Sequence, residues 1–249
     1  MTQRLLTTLP VYNEFRYVDE VLDQVSQYSR DILVVDDGSC DGTSELLALR
    51  KDIQVLRHHE NQGYGAALNT AFQYACAHDY DVLITIDCDG QHQPQRIPRF
   101  YANSNTADIV SGSRYLQPNE QEGQPPAERR CINQQITMEI NRRLGLSLTD
   151  AFCGFKAYRV SALRQMQLQE TGYAMPLEVW VQAAAMNLEI IELPVPLIYL
   201  DETRSFGGVL DNGQTRLDYY HRVLDRAIAT TQEQPVHQFN DLLCSDRIG

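Results

Sequence analysis

The chain has 249 residues, 43% apolar and 22% charged, enough to bury a sizeable core as one large domain, with or without an appendage. Its 33 acidic against 21 basic residues give a formal net charge of −12, which argues against the basic surface that a nucleic-acid partner requires. No apolar run approaches the roughly 18–20 residues of a membrane span, and the opening "MTQRLLTTLP" lacks the apolar core and cleavage site of a signal peptide.

Short apolar runs alternate with amphipathic segments through the first half, the pattern of an α/β domain built on a parallel sheet. Leu5–Leu9, Ile32–Val35, Ile53–Leu56, Val82–Ile86 and Ile109–Ser111 read as strands. Their continuous apolar character fits strands buried on both faces. Glu14–Tyr28, Asp41–Leu49, Tyr64–His78 and Pro94–Ala102 read as the helices between them. Gln117–Arg130 is a polar, proline-bearing loop, the best candidate for a mobile segment. A helix over about Ala127–Leu144 and another over about Tyr173–Asn187 follow. The run "IIELPVPLIYL" alternates prolines, which exclude a central strand and leave an edge strand or an extended crossover. Thr215–Thr231 reads as one more helix, followed by a tail. Six cysteines form no CxxC pair and read as separate, reduced thiols of a cytoplasmic protein.

In parallel sheets, ligands sit beyond the carboxyl ends of the strands. The residues that follow these runs are polar: "PVYNE", "DDGSCDGT", "DCDGQH" and "GSRY". Four such strand ends on one edge make a site. Asp87 and Asp89 leave a strand one residue apart, so both carboxylates reach toward one point. Oxygen donors in partial number, completed by water and phosphate, suit Mg2+ or Mn2+. The plainer alternative is a strand-end turn with solvated acids. An acidic protein that binds an anion needs a local cation, which favours the metal. Asp36 and Asp37 can accept hydrogen bonds from a base or a ribose, whereas helix capping alone accounts for Asp41. Gly63 and Gly65 open a helix whose N–H groups could face an anion, although helix packing explains them as well.

Taken together, "LPVYNE", "VVDDGSCDGT", "NQGYGAALNTAF", "DVLITIDCDGQHQP", "DIVSGSRY" and "TDAFCGFKAYR" resemble family 2 glycosyltransferases of the GT-A fold. Within that family the chain is most similar to the dolichyl-phosphate mannose synthase and polyprenyl-phosphate glycosyltransferase branch, over roughly residues 5–200. The resemblance implies a Rossmann-like, mostly parallel central sheet flanked by helices. Residues 1–210 would form the GT-A domain, with a nucleotide-sugar half to about 115 and an acceptor half over 116–210. Residues 211–249 would be a C-terminal helix and tail. Pro10, Tyr12 and Glu14, with Asp36 or Asp37, would line the nucleoside pocket, and Asp87, Asp89 and Gln91 would hold the metal. Arg114 would neutralise donor or acceptor phosphate, and Asp150 would lie near the acceptor. Glu178 matches a recurrent acid, for which a packing role is the alternative.

The reaction implied is inverting transfer of a hexose from a nucleotide sugar, of GDP-mannose or UDP-glucose type, to a polyprenyl or dolichyl phosphate. In place of the branch's R-x-x-G-x-S-K stretch stands "RSFGGVL": Arg204 and Gly207 fit, but Val209 and Leu210 replace the Ser-Lys pair. Lys156 and Arg159 are candidate substitutes. A saccharide or metabolite hydroxyl is therefore the alternative acceptor, with Asp150 as base. A catalytically inactive nucleotide-binding module is a further alternative. A dehydrogenase is disfavoured, because no G-x-G-x-x-G follows the first strand. The expected location is the cytoplasm, with at most peripheral contact at the inner face of the membrane through arginines such as Arg129, Arg130, Arg142 and Arg143. Oligomeric state is open, a homo-oligomer included.

Overall fold

A computed structural model describes residues 3–117, 126–198 and 208–233. In chain order the first half runs β1 (Leu5–Val11), α1 (Val18–Ser26), β2 (Ile32–Asp36), α2 (Thr43–Leu49), β3 (Gln54–Arg57), α3 (Tyr64–Ala77) and β4 (Val82–Thr85). A single 3-10 turn over Pro94–Arg96 leads into α4 (Ile97–Asn103), then β5 (Ile109–Ser113). The second half comprises α5 (Ala127–Leu144), β6 (Lys156–Arg159), α6 (Val160–Leu163), α7 (Met175–Ala185), β7 (Ile190–Pro194) and α8 (Gly213–Glu233).

The strands form one sheet in the order β3-β2-β1-β4-β6-β5-β7. All pairings are parallel except those of β6, which runs antiparallel to both β4 and β5, with Ile84 opposite Ala157 and Ser111 opposite Lys156. The five strands expected in the first half are present, each within two residues of its expected ends. β6 was not foreseen. Its four residues, "KAYR", begin and end on a cation, so neither an apolar run nor a clean alternation marks them. Ile190–Pro194 of the proline-rich run form the edge strand β7, which among the described residues pairs with β5 alone.

Successive residues of the inner strands point to opposite faces, and both faces are covered. Leu33, Val35 and Leu83 enter one core with Phe72 of α3, Ile136 of α5 and Trp180 of α7. Val34, Val82 and Ile84 enter the other with Leu22 of α1, Leu47 of α2 and Phe100 of α4. Full burial of each such aliphatic side chain contributes roughly 1.5–3 kcal/mol. α1 begins at Val18 rather than Glu14, because Asn13 takes a positive φ of 56° and the chain turns before the helix starts. α8 packs Tyr220, Val223, Leu224 and Ala227 into the same core as Trp180. Among the described residues, no helix is long and apolar enough to cross a membrane.

Candidate active site

The carboxyl ends of β1, β2, β4 and β5 open on a cleft of about 720 Å³. Two of the loops around it are tied together. Asn13, after β1, donates its N–H to Ser39 Oγ at 3.0 Å and accepts Cys40 N–H at 2.9 Å. Gly38 holds φ +75° where a Cβ would lie 2.6 Å from the Glu60 carbonyl carbon, so the turn after β2 passes too close to the next loop for any side chain. Pro10, Tyr12, Glu14 and Asp37 line the cleft.

Asp36 does not reach the cleft. Its carboxylate is 1% exposed and accepts Ser39 N–H at 2.9 Å and Ser44 Oγ at 2.5 Å, which holds the loop ahead of α2. Asp37 lines the cleft, but it too serves the fold: Oδ1 accepts Gln62 N–H and faces His58, and Oδ2 accepts Gly63 N–H at 2.8 Å. The anion that Gly63 faces is thus a side chain of the protein. Gly65 packs against the Glu170 carbonyl and Met175, as helix packing requires.

Asp87, Asp89 and Gln91 all line the cleft. Asp87 Oδ1 accepts the Tyr64 hydroxyl at 2.9 Å, and Oδ2 lies 3.0 Å from His92 Nε2. Burial pushes this carboxyl up, but the hydrogen bonds and charge around it, those of His92 first, hold it below the usual carboxylate value. Gly154, in the segment before β6, is the cradle for it: a Cβ there would fall 2.1 Å from Asp87 Oδ2. Asp89 accepts the Gln91 N–H at 3.0 Å, closing the turn between them. Tyr64 stacks on Tyr173, with ring centroids 5.7 Å apart.

Arg114, just beyond β5, also lines the cleft. Its Nε and Nη2 donate to the two oxygens of Asp150 at 2.6 and 2.9 Å. Asp150 is fully buried and also accepts Asn133 Nδ2 at 2.9 Å and Phe152 N–H at 3.1 Å. Burial alone would raise its carboxyl, but Arg114 and these donors hold it far below the usual range. Such a group is a poor proton acceptor, and it lies behind Arg114 rather than on the cleft surface. Glu192 of β7 braces the same loop by accepting Thr149 N–H and Asp150 N–H.

The two suggested substitute cations are elsewhere. Lys156 is buried, 5.4 Å from the Trp180 ring centre, with its ammonium donating to the Cys153 carbonyl. Arg159 is at the far end of the sheet, bound to the Ser104 and Asn105 carbonyls. Glu178 is a packing acid that accepts Gln169 N–H and Glu170 N–H. Arg204 and Gly207 lie outside the described residues, as do residues 118–125 of the polar loop.

Three residues around Asp87 (His92, Tyr64 and Gly154) stand outside the expected site set. His92 adjoins Gln91 and was within reach of the motif; Tyr64 and Gly154 meet Asp87 only through the fold. Ile132, Phe152, Leu197 and Tyr220 give the cleft an apolar lining, to which Arg129 and Arg216 also contribute.

A mostly parallel sheet with one inserted antiparallel strand, and paired acids at the mouth of its cleft, defines a glycosyltransferase of the GT-A fold. The chain belongs to glycosyl transferase family 2, whose family model matches residues 8–167. It is 33% identical over 218 residues to an undecaprenyl-phosphate mannosyltransferase of Micrococcus luteus, covering 83% of this chain and 89% of that one. It is 30% identical to a polyprenol monophosphomannose synthase of Mycolicibacterium smegmatis, over 78% of this chain and 77% of that one. Among solved structures, glucosyl-3-phosphoglycerate synthase of Mycobacterium tuberculosis with Mn2+ and UDP-glucose superposes at a TM-score of 0.69. That likeness, at 18% identity over 90% of this chain and 79% of that one, is one of fold.

Proposed function

We propose that this glycosyltransferase moves a hexose from a nucleotide sugar to a polyprenyl phosphate. The observation that carries the reading is that one cleft is lined by two sets of residues, the paired acids Asp87 and Asp89, and apolar side chains together with Arg114, Arg129 and Arg216. A diphosphate sugar suits the first, and a prenyl chain with an anionic head suits the second. The relatives named for transfer to undecaprenyl phosphate and for making polyprenol monophosphomannose support it.

Among the described residues, no group of three or more His, Cys, Asp or Glu is placed to hold a metal by itself. Two carboxylates and the Gln91 amide, facing a cleft large enough for a diphosphate, fit an ion that keeps its other positions for water and phosphate oxygen, as Mg2+ and Mn2+ do. Asp87, Asp89 and Gln91 would hold it. When bound, such an ion supplies Lewis-acid stabilisation of charge on the departing diphosphate.

The chain's own residues do the rest. His92, Tyr64 and the space left by Gly154 fix Asp87 in one orientation, so little rearrangement is needed when donor binds. Pro10, Tyr12, Glu14 and Asp37 line the nucleoside end. Arg114, oriented by Asp150, presents its remaining N–H groups to phosphate. A lipid phosphate is already anionic near neutrality and attacks the anomeric carbon unaided. The engagement of Asp150 favours this acceptor over a hydroxyl, which would need a base.

The test is an assay with labelled GDP-mannose and UDP-glucose, each offered polyprenyl phosphate and a saccharide panel, with and without Mn2+. Label extracted into organic solvent only when the lipid phosphate is present is the expected result. Label confined to water-soluble product would refute it.

A further inference from the structure

A buried ammonium is costly unless a counter-charge faces it. Lys156, at the head of β6, is 2% exposed. Among the described residues its ammonium donates to the Cys153 carbonyl and to no carboxylate, and the Trp180 ring centre lies 5.4 Å away. The charge that answers it must therefore stand close by without touching it.

The register of the sheet shows which charge that is. β6 runs antiparallel to β4, with Lys156 opposite Thr85. Two steps along, the same register sets Gly154 opposite Asp87, in agreement with the Cβ that would fall 2.1 Å from Asp87 Oδ2. Alternate residues of a strand share a face. Leu83 and Tyr158 enter one core, whereas Ile84, Ile86, Phe155 and Ala157 enter the other. Lys156 and Asp87 thus stand on the Leu83 face as diagonal neighbours, a relation that puts Cβ atoms roughly 7–8 Å apart. The ammonium reaches back along β6 toward Cys153, which is the direction of Gly154 and Asp87. Burial lowers its pKa, and Cys153, Asp150 and Asp87 act against that. Of the two carboxylates, Asp150 is already matched by both nitrogens of Arg114. Asp87 opens on the cleft beside a second acid, Asp89.

We infer that Lys156 is a built-in counter-charge for the acidic pair, which keeps the site from holding a divalent ion firmly until a nucleoside diphosphate arrives with it. This rests on the reading of Asp87, Asp89 and Gln91 as metal ligands. A fixed positive charge within about 10 Å of a divalent ion weakens its binding by about tenfold or more, even at the effective dielectric of about 20 suited to buried sites. A nucleoside diphosphate brings negative charge that the same ammonium attracts, so the repulsion is offset when the two bind together. Ion and nucleotide then strengthen each other's binding, and the coupling is reciprocal. A Lys156 that merely braced the loop through the Cys153 carbonyl would act in the opposite sense: its loss would loosen Gly154 and Asp87 and weaken the ion.

The test reads Mn2+ binding to the full chain from the loss of the free-ion paramagnetic resonance signal, without nucleotide and with saturating GDP or UDP. Wild type, Lys156→Met, Lys156→Gln and Asp89→Asn are compared, with thermal unfolding followed in parallel. The wild type should bind Mn2+ weakly alone and much more tightly with one of the nucleotides. Lys156→Met keeps the length of the stem without the charge; it should bind Mn2+ alone about tenfold or more tightly and lose most of the gain that nucleotide gives. Lys156→Gln, neutral but still able to donate to the Cys153 carbonyl, should follow it, and stands in for it should Lys156→Met fail to fold. Mn2+ binding without nucleotide that is unchanged or weaker in the neutral variants overturns the role of Lys156 alone. So does a Lys156→Gln protein that behaves like the wild type beside a Lys156→Met protein that does not, since the hydrogen bond and not the charge is then what counts. A wild type that takes up no Mn2+ with either nucleotide, or uptake that Asp89→Asn leaves unchanged, overturns the metal reading of the acids, and this inference with it.

Discussion

Arg114 and Asp150 face each other through two parallel hydrogen bonds, Nε to Oδ2 at 2.6 Å and Nη2 to Oδ1 at 2.9 Å, with the carboxylate wholly buried. The pair joins the end of β5 to the loop ahead of β6 and aims one face of the guanidinium into the cleft. Removing one partner strands a buried charge. Arg114→Ala should therefore lower stability by roughly 3–5 kcal/mol, and the melting temperature by on the order of 10 °C. Replacing both residues by leucine should recover neither turnover nor full stability, because Asn133 Nδ2 and the Phe152 N–H lose their acceptor. Thermal unfolding and an activity assay on both variants check this; a single variant that melts like the wild type would deny the pair its structural weight.

The same pair sets a pH dependence. The Asp150 carboxyl lies far below its ordinary value of 3.8, with burial opposing and Arg114 chiefly responsible. A group with a depressed folded-state pKa gives stability that is complete above the unfolded value and lost as pH falls through the folded one. The contribution of Asp150 is thus intact above about pH 4 to 5 and declines below it. Unfolding free energy measured from pH 6 down to pH 2 should fall with a steeper acid limb in the wild type than in Asp150→Asn. Equal slopes would mean that Asp150 titrates normally.

Gly154 offers a steric test of the acidic end. A methyl group there would need the space of the Asp87 carboxylate, 2.1 Å from Oδ2 and 2.6 Å from Cγ. Gly154→Ala should displace Asp87 and lower kcat/KM by on the order of 100-fold, as small misplacements in active sites do. Retained circular dichroism would show that the fold survives. Activity within a factor of two of wild type would mean that the carboxylate has room to move without consequence.

Asp89→Asn tests the proposed metal role. Binding of nucleoside diphosphate stabilises the folded state in proportion to the logarithm of ligand concentration over Kd. In the wild type, Mn2+ should enlarge the thermal shift produced by GDP or UDP. In Asp89→Asn most of that enlargement should vanish, while the melting temperature without ligand stays close to wild type, because Asp89 is not a core residue. An undiminished Mn2+ effect would take Asp89 out of the metal site.

Tyr64→Phe isolates a supporting contact. It deletes the 2.9 Å hydrogen bond to Asp87 and leaves the stack on Tyr173. Turnover should drop several-fold with little change in stability, since a single hydrogen bond is worth about 1 kcal/mol. A full loss of turnover would point to a direct role for the hydroxyl.

Residue order marks the strands of the first half, excludes the proline-rich run from the middle of the sheet, and gathers Asp37, Asp87, Asp89 and Arg114 at one edge. It could do so because these features are local. Burial on both faces leaves continuous apolar runs, proline bars an inner strand, and polar residues after a parallel strand fall on one edge of the sheet. Long-range packing, by contrast, puts Asp150 behind Arg114, makes room for Asp87 at Gly154 and brings Arg216 into the cleft wall. Each of these depends on β6 entering antiparallel between β4 and β5, or on α8 packing across α5 and α7. Contacts between segments distant in sequence leave no periodicity in either one, so nothing in a single chain's residue order marks them in advance.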